Sequence, residues 1–152
     1  MDSQKKPSMA RIDQAVESFW ESYPPFWRRV RGHIRSVAVS RFSITVEQFH
    51  MLRHIRRGLG TVSELAVEQN SSRPAISQAV DVLVEKDLVT RSQDTRDRRQ
   101  VHLNLTAKGN TLLDAVFDDT RRWMRGLFTG LSDVELQTII DTMHIFKKVL
   151  PA

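Results

Sequence analysis

The 152-residue chain contains no cysteine. That excludes disulfides, thiolate metal sites and any thiol-based redox switch. No apolar run approaches the about eighteen residues that a membrane-spanning helix needs, so no membrane association is expected. The six glycines never gather into a phosphate-cradling loop, and no serine, histidine and acid form a compact set. Carboxylates are scattered over polar helix faces, so neither catalysis nor a cofactor is expected. The opening MDSQKKPSMA lacks the apolar stretch of a secretory signal and reads as a frayed tail. A cytoplasmic location is the simplest expectation.

What is present is positive charge in particular places. The formal net charge is +5 and the isoelectric point about 10.1. Residues 1–40 carry +3, residues 41–107 carry +2 and residues 108–152 are neutral. Within the middle segment the charge is concentrated: four arginines and two aspartates fall between Arg91 and Arg99. A strict alternation follows at once, Val101, Leu103 and Leu105 against His102, Asn104 and Thr106. A charged tip that cannot be packed therefore sits directly on a strand.

Hydrophobic spacing organises the rest. Ile12, Val16, Phe19 and Trp20 lie at helical intervals, and Pro24-Pro25 predicts a break near Tyr23 before a second helix from about Pro25 to Arg41. Thr45 with Gln48, Thr61 with Glu64, and Ser132 with Glu135 have the spacing of capping boxes, which satisfy free amides at helix starts. They predict helices ending near Gly58, Asn70 and the C-terminus. Another helix spans about Arg73 to Lys86, with Ile76, Val80, Leu83 and Val84 inward. Strands are expected over 88–93 and 100–105. Thr106 can cap a long helix carrying Leu112, Leu113, Val116, Phe117, Trp123, Met124 and Leu127, with Gly130 at its end. The last helix carries Leu136, Ile139, Ile140, Met143 and Leu150.

Two short helices, a tight turn and a two-stranded ribbon make a winged helix-turn-helix. The expected class is mainly α with a small β-wing. The expected divisions are an N-terminal tail and dimerisation helices over 1–40, the winged domain over 41–107, and C-terminal dimerisation helices over 108–152. A helix fits the major groove of double-stranded DNA, where each base pair shows a distinct donor and acceptor pattern. Gln78 suits a bidentate contact to adenine, Arg73 a guanine or phosphate, and Ser72 and Ser77 a close backbone approach. Arg91, Arg96, Arg98 and Arg99 would reach the neighbouring minor groove, where negative potential favours arginine. Asp94 and Asp97 would brace one arginine while another points outward. The bland alternatives are a solvated helix face and an ordinary charged hairpin, as in a winged module used only for protein contacts.

The segments ITVEQFHMLRHI, TVSELAVEQNSSRPAISQAVDVLVEKDLVTR, DTRDRR and VHLNLTAKG, together spanning residues 44–109, resemble the MarR (multiple antibiotic resistance regulator) family of transcription factors. The resemblance implies a homodimer in which helices from both chain ends interleave. Two recognition helices would then lie about 34 Å apart on a pseudo-palindromic operator. It implies a transcriptional regulator, most simply a repressor released by a small aromatic or phenolic anion. In one place the chain departs from the family: Asp87 stands where glycine usually follows the recognition helix, which predicts a local cost.

For the effector, Tyr23, Trp27, Arg28, Arg31, His50 and His54 are the candidate pocket, an arginine pairing with a carboxylate in a bidentate fork. Core packing is the competing reading for the aromatics. Glu47, His50 and His54 fall on one helix strip, and histidines at i and i+4 can share zinc. That leaves a zinc-responsive regulator of the same fold as an alternative, although no resident metal is expected.

Overall fold

A computed structural model describes residues 6–93 and 101–149. The elements in order are α1 (Met9–Phe42), α2 (Val46–Arg56), α3 (Val62–Glu68), α4 (Arg73–Glu85), β1 (Val89–Gln93), β2 (Val101–Leu105), α5 (Ala107–Phe128) and α6 (Asp133–Val149). The chain divides into two compact units, Met1–Val116 and Phe117–Ala152. No described helix is long and apolar enough to cross a membrane.

The three expected capping boxes form. In α2 and α3 the Thr45 and Thr61 hydroxyls accept from the amides of Gln48 and Glu64, whose side chains accept from the threonine amides in return. Ser132 and Glu135 do the same at the start of α6. Each pair satisfies two amides that the first helical turn leaves without partners. Ser72 caps α4, its hydroxyl accepting from the Ala75 amide at 3.3 Å.

The expected break at Pro24-Pro25 does not occur: α1 runs unbroken through both prolines. Each proline deprives the carbonyl four residues earlier, that of Trp20 or Glu21, of its donor. Both of those residues are exposed, so water can take over the lost acceptors. The apolar strip also continues across the pair. Phe19 stacks on Tyr23 with ring centroids 4.9 Å apart, and Tyr23 lies parallel to Trp27 at 6.4 Å.

The core of the first unit is built from Val30, Ile34, Val37 and Ala38 of α1, Phe49, Leu52 and Ile55 of α2, Leu65 of α3, and Ile76, Val80 and Leu83 of α4. Leu88, Val89 and Leu103 of the ribbon join it, with Leu112, Leu113 and Val116 of α5. The strands pair antiparallel, Val89 opposite Leu105 and Gln93 opposite Val101. Of the alternating β2 residues Leu103 is buried and Leu105 half-buried, whereas Val101 is exposed toward the tip. The Leu103 amide also donates to the Gly60 carbonyl, which ties the ribbon's root to the loop before α3.

The turn after α4 explains the sequence LTAKG. Asp87 adopts φ 57, the left-handed conformation in which a side chain is strained, as expected for a residue standing where glycine is usual. Its carbonyl accepts from the Thr106 hydroxyl at 2.7 Å. Thr106 in turn caps α5 by accepting from the Gly109 amide, and the Lys108 ammonium donates to the Lys86 carbonyl. Gly109 lies against the Leu88 carbonyl, so closely that an added Cβ would overlap it.

Candidate nucleic-acid interface

The buried side of α4 (Ile76, Val80 and Leu83) fixes which side faces out. Arg73 and Gln78 are exposed and Ser77 half-buried on the outward side; exposed Ser72 spends its acceptor on the cap. Four of the residues expected to contact DNA are thus brought together over the first two turns of one helix. A helix presented in this way can enter a major groove with its N-terminal end leading.

Arg91 sits differently. Its Nη1 donates to Asp81 Oδ1 at 2.5 Å and its Nη2 to the Ser77 carbonyl at 3.5 Å. The guanidinium therefore joins β1 to the recognition helix. Nothing in local spacing pairs Asp81 with Arg91, ten residues apart across a turn. On the far side of the ribbon, Asn104 donates to the Ser92 hydroxyl at 3.1 Å. Arg96, Arg98 and Arg99, with Asp94 and Asp97, lie outside the described residues.

A second feature lies within the same unit. A groove of about 650 Å³ runs along α1 and reaches α2, lined by Tyr23, Trp27, Arg28, Arg31, Arg35 and Glu47 among others. A smaller groove of about 310 Å³ is lined by Trp27, Arg31, Glu47, His50, His54 and Gln69. All six candidate effector residues line one groove or the other, and Trp27 and Arg31 line both. Sequence reading missed Arg35 and Gln69. Arg28, Arg31 and Arg35 stand at i, i+3 and i+7, a spacing that could have found Arg35. Nothing local marked Gln69, whose place depends on how α3 packs.

The larger groove carries Arg28, Arg31 and Arg35 against Glu47, while the smaller one pairs Arg31 with Glu47. Burial holds the His50 imidazole below its ordinary 6.5, and Arg53, Arg31 and His54 push the same way against Glu47. Burial also lowers His54, with Glu68 opposing it at 3.8 Å from Nδ1. Glu47 is held below its usual value first by its own backbone amide and then by the Thr45 hydroxyl. Both imidazoles are therefore neutral at neutral pH.

The zinc alternative fails on geometry. No group of three or more histidine or acid side chains among the described residues could hold a metal, Glu47, His50 and His54 included.

Residues 42–100 match the MarR family model. The HTH-type transcriptional repressor MdtR of Bacillus subtilis is 23% identical over 145 residues, covering 95% of this chain and 91% of its own. The transcriptional regulator Tm0710 from Thermotoga maritima superposes with a TM-score of 0.77 at 24% identity, covering 88% of this chain and 94% of that one. Two Staphylococcus aureus structures share the fold. A MepR mutant bound to an oligodeoxyribonucleotide gives a TM-score of 0.62 at 22% identity, covering 86% and 99% of the two chains. MarR in complex with salicylate and kanamycin gives 0.68 at 23%, covering 92% and 95%. Over residues 42–100, the helices and ribbon of the head, the chain matches the MarR family, and over nearly its full length it is similar to curated helix-turn-helix transcriptional regulators.

Proposed function

We propose that the protein is a cytoplasmic homodimeric repressor that binds a pseudo-palindromic operator and releases it on binding a small aromatic anion. Residues 41–107 form the reading head, while 1–40 and 108–152 supply the dimer contacts. The observation that carries the DNA assignment is the presentation of Arg73 and Gln78 on an exposed face of α4 whose other face is locked into the core. Gln78 reads a base edge, Arg73 a base or phosphate, and Ser72 and Ser77 let the backbone approach. Arg96, Arg98 and Arg99 enter the minor groove with Asp94 and Asp97 bracing them. Arg91 adds charge near the phosphates and holds the ribbon against α4. The oligodeoxyribonucleotide held by the MepR mutant supports this reading.

Dimerisation rests on apolar surface. Met9, Ile12, Val16 and Trp20 of α1, and Val134, Ile140, Met143, Ile145 and Val149 of α6, are exposed in the single chain. No described residue of α6 is buried. Apolar faces of this extent mark association surfaces. The effector reading is supported by the groove that gathers Tyr23, Trp27, Arg28 and Arg31, and by the salicylate held by the S. aureus relative.

Selection of bound duplexes from a random pool tests the assignment. It should enrich a two-fold symmetric site with half-site centres one helical turn apart. On that site Gln78→Ala should blur one position per half-site, and Arg98→Ala should cost about 1–3 kcal/mol of affinity and flatten the salt dependence. Enrichment of no sequence would end the reading.

A further inference from the structure

DNA binding leaves one buried group without a task. The side-chain Nε2 of Gln69 is buried and has no hydrogen-bond partner among the described residues. Gln69 lines the smaller groove, opposite Trp27 and Arg31 of α1 and Glu47, His50 and His54 of α2. A buried amide donor without an acceptor destabilises the state that contains it, and such groups are rare enough that each calls for a reason.

We propose that Gln69 is the specificity residue of the effector site: its amide donates to an oxygen of a planar aromatic carboxylate, whose charge is met by Arg31 and whose ring lies against Trp27. The inference rests on the effector reading above and names its ligand class and its recognising donor.

Three observations carry it besides the unpaired nitrogen. The groove and its neighbour, about 310 and 650 Å³, share Trp27, Arg31 and Glu47 and are of the size that encloses small molecules. In the smaller groove Arg31 stands beside Glu47, and the adjoining larger groove adds Arg28 and Arg35 along the same strip of α1. A guanidinium offers two parallel donors to a carboxylate. The flanking imidazoles are held below their ordinary value by burial and by Arg53, with Arg31 also acting on His50 and Arg57 on His54, so they add donors and acceptors without a competing charge.

The position of Gln69 gives a ligand leverage. It is the C-cap of α3, its backbone amide bonded to the Leu65 carbonyl. The next residue, Asn70, takes the left-handed conformation at φ 47, and Ser72 then caps α4. An oxygen held by Gln69 is thus bonded to the turn that aims the recognition helix. A ligand shifts the protein between two states only by binding one better, and this bond supplies a difference where that turn moves.

Titration calorimetry on the full-length protein tests the proposal with two probes. Benzoate carries the ring and the charge; benzamide carries the ring and a carbonyl acceptor without charge. Gln69→Leu should weaken both by about tenfold, the effect of losing one hydrogen bond in a buried site. Gln69→Glu should weaken benzoate further, and Arg31→Gln should weaken benzoate alone. The unliganded Gln69→Leu protein should unfold at the same temperature as the parent or higher, because an unpaired amide has been removed. Gln69→Met, unbranched, should repeat the result. Equal affinities in Gln69→Leu and the parent, no benzoate binding by the parent at millimolar concentration, or a lowered unfolding temperature in both apolar variants would each overturn it. Operator release is scored separately. Gln69-dependent binding without release supports the site and sinks the ligand-responsive reading. Release equally sensitive in Gln69→Leu sinks the role of Gln69 and leaves that reading intact.

Discussion

The winged segment and the helices at the chain ends use apolar residues in opposite ways. From α2 to β2, most apolar side chains turn inward onto Phe49, Leu52, Leu65, Val80 and Leu83, Val67 and Val101 excepted, and the starts of α2 and α3 are closed by reciprocal caps. Along the first half of α1 and all of α6, side chains just as apolar face outward: Trp20 is 64% exposed and Val134 77%. The first segment is a core that completes itself. The second is half of one, which one chain cannot bury alone. In the proposed dimer this difference separates reading DNA from assembling the reader: the head is complete within each chain, and the spacing of two heads is left to the partner.

The most damaging way to break this contrast is to charge the outward face. Ile140→Glu with Met143→Glu should convert the protein to monomers at micromolar concentration in sedimentation and weaken operator binding by more than tenfold, because half-site spacing is lost. The circular dichroism of the winged head should survive. A double variant that stays dimeric would mean that α6 is not the contact.

On the self-sufficient side, Gly109→Ala forces a methyl into the Leu88 carbonyl. Denaturant unfolding should show a loss of about 1–3 kcal/mol, the usual cost of overpacking. An unchanged midpoint would show that the turn gives way.

Asp87→Gly should act in the other direction. Removing the side chain at φ 57 relieves left-handed strain, for a gain of about 0.5–1 kcal/mol. A loss would mean that the Asp87 carboxylate makes a stabilising contact that outweighs the strain.

The smallest effect is set by pH. His50 and His54 are held below 6.5 in the folded chain, so the unfolded chain binds protons first as pH falls. Their contribution is complete above 6.5 and is lost as pH falls through the folded values. The unfolding temperature should decline between pH 7 and 5, and His50→Gln should reduce that slope. A slope unchanged by the substitution would remove His50 from the account.

Much of this architecture could be read along the chain. The capping boxes at Thr45, Thr61 and Ser132 depend on residues three apart, and the inward side of α4 on residues three and four apart. Such signals are local, so they survive without knowledge of the fold. Pro24-Pro25 misled for a related reason. The local rule gives the cost of proline in a helix correctly, but it omits the exposure of the carbonyls left without donors and the aromatic strip that continues past them.

The groove was legible only in part. Aromatics and arginines on α1 and histidines on α2 stood out by type, and helix periodicity places them on strips. That Trp27, Arg31, His50 and Gln69 border one space requires three helices to be packed.

Short-range order along the chain was therefore sufficient for the elements, their caps, the winged motif and the face of α4 turned outward, because backbone sterics and helical periodicity act over a few residues. Packing alone decided the ion pair of Arg91 with Asp81, the close approach of Gly109 to Leu88 and the burial of the Gln69 amide. Each joins groups whose meeting depends on where whole helices and strands come to rest, and no spacing within one element encodes that.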